Sequence, residues 1–181
     1  MDSTLTARQA AMVATWDAHM AAEFEAKDVD ATMATMTAAP FVNHVPTMTG
    51  GVGYDNVRAF YAAHFLPGHP PDVEVTPVNR TVGENSIVDE VIYKFTHTIE
   101  MPWMLPGIAP TGRHAEVAIA AVALFEDGKI AGERIYWDQA SVLAQLGLLN
   151  KLALPITGAE AAAKVVDPTR EPSNHLIERA A

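Results

Sequence analysis

The chain has 181 residues, 49% of them apolar and 19% charged, which suits one domain with a single sizeable core and excludes a disordered chain. Twelve Lys and Arg against 22 Asp and Glu give a net charge of −10, which repels phosphate backbones and excludes a nucleic-acid partner. The absence of cysteine excludes disulfides, thiolate nucleophiles and thiolate-held metals, and a reduced, cytoplasmic setting is the expectation.

No apolar run approaches the roughly 18–20 residues of a membrane helix, so no membrane partner is expected. Met1–Thr4 has neither the basic nor the apolar region of a secretory signal. The chain up to residue 27 reads as a helix on Ala10, Val13, Ala14, Asp17, Met20, Ala21 and Phe24, with Trp16 and Met12 widening the stripe and Thr4 or Thr6 as cap. Asp30 caps a short second helix over 31–37, and Pro40 ends it. Phe41–Val45 reads as a strand, Gly50–Gly53 as a turn, and Asn56–Phe65 as a third helix, broken by the proline-rich stretch from Pro67. From Asp72 the pattern becomes strands: Val73–Val78, Ile87–Ile99, Arg113–Glu126 and Lys129–Asp138. Asp127-Gly128 marks a hairpin between the last two. Gln139–Asn150 returns to helical spacing, and the tail holds one helical turn near 159–165. Helices first and strands after, joined by short turns, predict an α+β fold with an antiparallel sheet. The expected division is a domain over 1–150 and an arm over 151–181, lying on the surface or in a dimer contact.

This order resembles the nuclear transport factor 2-like superfamily, and more closely its SnoaL-like polyketide cyclases. The resemblance rests on Phe41-Val42-Asn43-His44, on Thr96-His97 leading to Pro110-Thr111-Gly112-Arg113, on Phe125-Glu126-Asp127-Gly128-Lys129-Ile130, and on Gln145-Leu146-Gly147-Leu148-Leu149. It implies a cone in which the curved sheet wraps the helices around an apolar pocket, and a homodimer formed through convex faces. In the cyclases an inward His and Asp follow the Asp-Gly turn. Those positions here hold Glu133 and Ile135, and the polar pair of the preceding strand falls on Ile119 and Ala121. The fold is expected, without the cyclases' own acid–base residues.

The implied register makes Glu133, Ile135 and Trp137 inward, and Arg134, Tyr136 and Asp138 outward. Glu133 is then a carboxylate among Ile119, Ala121, Ile135 and Trp137, a setting that suits a general base; its bland alternative is an ion pair with Arg134 or Arg113. His97 shares a face with Asp89 and Tyr93 and is a candidate acid, or else a histidine tied to backbone. Asn43 and His44 are adjacent, so at most one faces inward: Asn43 as an oxyanion donor, or His44 as a proton relay. Trp103 lies in an apolar, proline-bounded loop and reads as a lid or pocket wall, with a dimer contact as the alternative. His44, His64, His69, His97 and His114 make no ligand spacing, so no metal is expected; no glycine-rich cofactor loop occurs, so no cofactor is expected either. The leading function is a cofactor-independent enzyme moving protons on a small, largely apolar, carbonyl-bearing molecule. Glu133 is the base, with His97, His44 and Asn43 beside it. Trp103, Trp137, Ile135, Ile119, Ala121, Tyr93 and Asp89 are the expected pocket lining. A non-catalytic small-molecule binder and a protein-interaction domain are the alternatives.

Overall fold

The computed structural model describes residues 5–180; Thr4 as a cap and the reading of Met1–Thr4 fall outside them. Helix α1 (Ala7–Ala21) starts at Thr6, whose hydroxyl accepts from the Gln9 amide while the Gln9 side chain returns to the Thr6 N–H. It widens into a π-helical turn over Ala22–Ala26 and stops at Lys27, which is left-handed at φ 51°. Its buried ridge is Met12, Trp16, His19 and Glu23, while Ala10, Ala14 and Asp17 are exposed. Val13, Met20 and Phe24 of the expected stripe pack against the core beside this ridge, so the core face is rotated toward Met12 and Trp16 and away from Ala10, Ala14 and Asp17.

Helix α2 (Val29–Ala34) is capped by Asp28, not Asp30: the Asp28 carboxylate accepts from the Asp30 and Ala31 amides. Pro40 does not end this helix. It lies inside strand β1 (Met36–His44), at the irregularity between Met36 and Phe41 where a missing ladder donor is tolerated. Gly50 and Gly51 are not a turn but part of edge strand β2 (Thr49–Val52). A side chain at Gly51 would collide with the Asn56 backbone, so the glycine lets α3 (Tyr54–Phe60) pack against this strand. A second π-helical turn, Tyr61–Phe65, extends α3.

Strands β3 (Glu74–Val82), β4 (Ser86–Thr96), β5 (His114–Glu126) and β6 (Lys129–Trp137) follow. The six-stranded sheet has the order β2-β1-β6-β5-β4-β3. Every neighbouring pair is antiparallel except β1 and β6, which run parallel, a departure from the fully antiparallel expectation. The β5–β6 hairpin turns at Asp127 (φ 49°) and Gly128 (φ 79°), the two positive φ angles of a type I′ turn, as the Asp-Gly pair predicts.

Short α4 (Gln139–Gln145) follows β6, capped by Asp138. Beyond it α5 (Ala159–Val166) packs on β5 with Ala162 buried, and α6 (His175–Ala180) was not foreseen. Among the described residues no helix is long and apolar enough to cross a membrane. Trp16, Tyr61, Phe65, Tyr93, Phe95, Trp103, Met104 and Ile130 form much of the core between helices and sheet.

Candidate active site

The inner cavity measures about 60 Å³. Trp16 and Glu23 reach it from α1 and its π turn, Tyr61 from the end of α3, Val42 and His44 from β1, and Asp89 and Tyr93 from β4. Ile119, Ala121, Glu133 and Ile135 come from β5 and β6, and Trp103 from the loop. The expected parity holds on β6: Glu133 and Ile135 are buried, Arg134 and Tyr136 exposed.

Three expected residues are elsewhere. Asn43 has the opposite parity to Val42 and His44, and pairs in register with Gly50 and Arg134 outside the cavity. It is not placed to serve as an oxyanion donor. His97 lies just past β4. Its N–H donates to the Arg113 carbonyl, its carbonyl accepts from Gly112, and its Nδ1 accepts the Thr111 N–H at 3.3 Å. That clamp is structural, so His97 does not join Glu133. Trp137 is buried but lines an outer groove with Tyr136 and Val165, because β6 runs on past its last partner in β1, His44 opposite Ile135. Trp103 is pocket wall: its Nε1 donates to the Gly68 carbonyl, and its own carbonyl accepts from the Thr47 and Thr49 hydroxyls.

Glu133 does not sit alone. Neither Arg134, which lies over the Phe41 ring, nor Arg113 pairs with it. Its partner is His19, whose Nε2 is 3.2 Å from Glu133 Oε1 and 3.0 Å from Glu23 Oε1. Tyr61 donates its hydroxyl to Glu133 Oε1 at 3.1 Å and lies 3.3 Å from His19 Nε2. On the far side of the ring, His19 Nδ1 is 2.7 Å from Thr35 Oγ1. The Thr35 hydroxyl gives its one proton to the Thr32 carbonyl at 2.6 Å, so it must accept from Nδ1–H. Nε2 faces three oxygens, two of them carboxylate, and is protonated as well. The ring is an imidazolium: burial alone would lower its pKa, but Glu23 and Glu133 outweigh that and raise it to about 10.

One cation between two carboxylates leaves one negative charge in excess inside the core. Burial pushes the Glu23 carboxyl up, against the pull of His19, while Glu133 accepts the Tyr61 hydroxyl proton and lies against the same imidazolium. The sequence reading missed His19, Glu23 and Tyr61. The available signal was helical: Met12, Trp16, His19 and Glu23 recur at steps of four, three and four, in line with the largest apolar side chains of α1.

The opposite wall is aromatic. His44 lies 4.8 Å from the Trp103 ring and 5.5 Å from Phe65, centroid to centroid. Its Nδ1 has no hydrogen-bond partner, and burial with His69 nearby lowers its pKa to about 3. His69 meets the Tyr93 hydroxyl at 2.8 Å through Nδ1, and burial with Lys27 nearby lowers it likewise to about 3. Both rings are neutral. Beside them Asp89 is fixed by Arg80, at 2.6 Å and 2.7 Å through two nitrogens, and by the Trp16 indole N–H at 2.8 Å.

Residues 16–133 match the SnoaL-like domain family. The chain belongs to that family. Solved structures agree on the fold. A protein from Jannaschia sp. CCS1, named for its likeness to SnoaL polyketide cyclases, is 20% identical at a TM-score of 0.67, covering 82% of this chain and 99% of its own. IdmH from Streptomyces antibioticus, a candidate polyketide cyclase, is 20% identical at 0.58, covering 75% and 98%. A protein with a ketosteroid isomerase-like fold from Catenulispora acidiphila, solved with trimethylamine, is 18% identical at 0.57, covering 75% and 93%. No curated protein matches the chain. The SnoaL-like family fits the cone, and its matched stretch spans every residue of the charged cluster, from His19 to Glu133.

Proposed function

We propose that this SnoaL-like protein is a cofactor-independent enzyme that moves a proton on a small, largely apolar, carbonyl-bearing molecule, in an isomerisation, cyclisation or related reaction. One observation carries the reading: two buried carboxyl groups, Glu23 and Glu133, meet at one buried imidazolium and both line an apolar cavity. A base and an acid set apart by their surroundings are what such a step needs. Glu133 takes the proton from the carbon next to the carbonyl, and the C–H electron pair moves onto the carbonyl oxygen as an enolate. Neutral His44 offers an N–H toward that oxygen. Glu23 returns a proton to carbon at the new position, and the proton on Glu133 then passes to Glu23. His19 stays an imidazolium throughout and holds the shared charge.

The test is hydrogen–deuterium exchange at the α-carbon of simple methyl ketones in D₂O, followed by proton NMR. The enzyme should accelerate exchange, and Glu133→Gln should lower the rate by on the order of 10²–10⁴-fold while keeping the fold. Exchange that survives Glu133→Gln unchanged would overturn the assignment. A homodimer belongs to the same reading, supported by the exposed Tyr136 and Val165 beside the outer groove of the sheet, and light scattering in solution decides it.

A further inference from the structure

We propose that substrate enters between α1 and β3, through a neck of Met20 and Phe24 facing Val75 and Val91. The substrate is a two-part molecule: its carbonyl-bearing head occupies the inner cavity and an uncharged apolar body lies in the groove outside. The head rests on the acid–base reading above; the body, the path and the residues that select them go beyond it.

The inner cavity, at about 60 Å³, has room for little more than the liquid share of two waters, roughly 30 Å³ each. Drug-sized ligands fill about 300–1,000 Å³. A second cavity of about 740 Å³ lies against the first. The two share Met20, Phe24, Val75, Asp89 and Val91, so these five side chains are the partition between them. A molecule that fills both cavities therefore crosses this partition.

Its two sides differ in stiffness. Asp89 is held by Arg80 and Trp16, and Arg80 is held in turn by Asp17 at 2.7 Å, which ties β3 and β4 to α1. Met20 and Phe24 are only half-buried. Met20 is unbranched and changes rotamer at low cost, and Phe24 sits in the π turn, where the regular helical ladder is interrupted. The neck thus has a fixed floor and a soft lip.

Beyond it the groove continues along Pro77 and Asn79 on the edge strand. Its single cation, Arg80, is already bound to Asp17 and Asp89. The remaining charges at the rim are carboxylates, Glu25 and Glu90, the latter taking the Asn79 amide at 3.1 Å. A body bearing a carboxylate or phosphate finds no free partner there.

The experiment measures binding of straight-chain methyl ketones of increasing length by NMR titration. Affinity should rise about two- to fourfold per added methylene until the groove is full, the increment of a buried CH₂. Val75→Trp should erase this dependence on length while the shortest ketones still bind. Phe24→Ala should act in the opposite sense and admit branched bodies that the parent excludes. Thermal melting confirms that each variant is folded. Affinity that is flat with length in the parent protein, or a length series unchanged in both variants, overturns the proposal. So does equal affinity for a chain of the same length ending in a carboxylate. Glu133→Gln separates the two readings: it should slow exchange by on the order of 10²–10⁴-fold and leave the length dependence of binding intact.

Discussion

His19 and His44 are both closed off from solvent, at 0% and 2% exposure, yet one is a cation and the other is neutral. Desolvation acts on both in the same direction and disfavours the charged ring. The difference lies in the neighbours. His19 has two carboxylates and a hydroxyl at Nε2 and an acceptor at Nδ1. His44 has three aromatic rings within 6 Å and no hydrogen bond at Nδ1. Burial alone therefore does not give a charge state; the partners delivered by other strands and helices do. The cavity lies between these two walls, one able to exchange protons and the other able to hold a neutral molecule.

The sharpest way to break the comparison is to remove the cation. His19→Leu leaves Glu23 and Glu133 without it, and should cost about 3–5 kcal/mol at neutral pH, the penalty of an uncompensated buried charge. Adding Glu133→Gln should recover part of that loss, since the base then no longer needs a counter-ion. Chemical denaturation of the single and double variants measures both. Recovery close to zero would mean that the three groups are not coupled.

Stability against pH should show the two walls separately. His19 is raised from its ordinary 6.5 to about 10, so its contribution is complete below pH 6.5, shrinks as pH rises, and is gone above about 10. His44 and His69 are depressed to about 3, so the unfolded chain binds their protons first, and stability falls as pH drops from 6.5 toward 3. Melting temperature should thus decline on both sides of near-neutral pH. His44→Phe should make the acid limb shallower, His69 keeping its share, and leave the alkaline limb alone, while His19→Leu should flatten the alkaline limb.

The smallest change concerns Thr35. Thr35→Val deletes the acceptor for His19 Nδ1–H and should cost about 1 kcal/mol. It should also move the alkaline limb to lower pH, because an imidazolium that loses an acceptor is easier to deprotonate. Thr35→Ser should restore both. A loss of stability without movement of the limb would make Thr35 a packing residue only.

The cone was legible from the sequence wherever the determinant is local. Asp127-Gly128 fixes its hairpin through its own backbone angles, and alternation along 129–137 separates Glu133 and Ile135 from Arg134 and Tyr136. Pro40 misled because a proline that ends a helix can equally sit at a strand irregularity, and only pairing with β6 distinguishes them. The site was half legible. Glu133, His44, Asp89, Tyr93 and Trp103 reach the cavity as expected. His19 and Glu23 stayed hidden because polar residues weaken an apolar stripe, and the partners that justify burying them, Tyr61 and Glu133, come from elsewhere in the chain. His97 misled for the opposite reason: its strand parity is inward, but the strand ends one residue before it.

The parallel pairing of β1 with β6 has a consequence for how the protein folds. Val42 lies opposite Glu133, so β1 joins the strand that carries the base only when distant parts of the chain meet. Contacts so far apart in sequence form slowly. β4, β5 and β6 are hairpin neighbours and need no such search. On this ordering Glu133 keeps its water until β1 docks and brings α1, with His19 and Glu23, against it. The transition state then never holds the unpaired charges in a dry environment. The pH dependence traced to His19 should accordingly appear in the rate of unfolding, with the rate of folding nearly flat from neutral to alkaline pH.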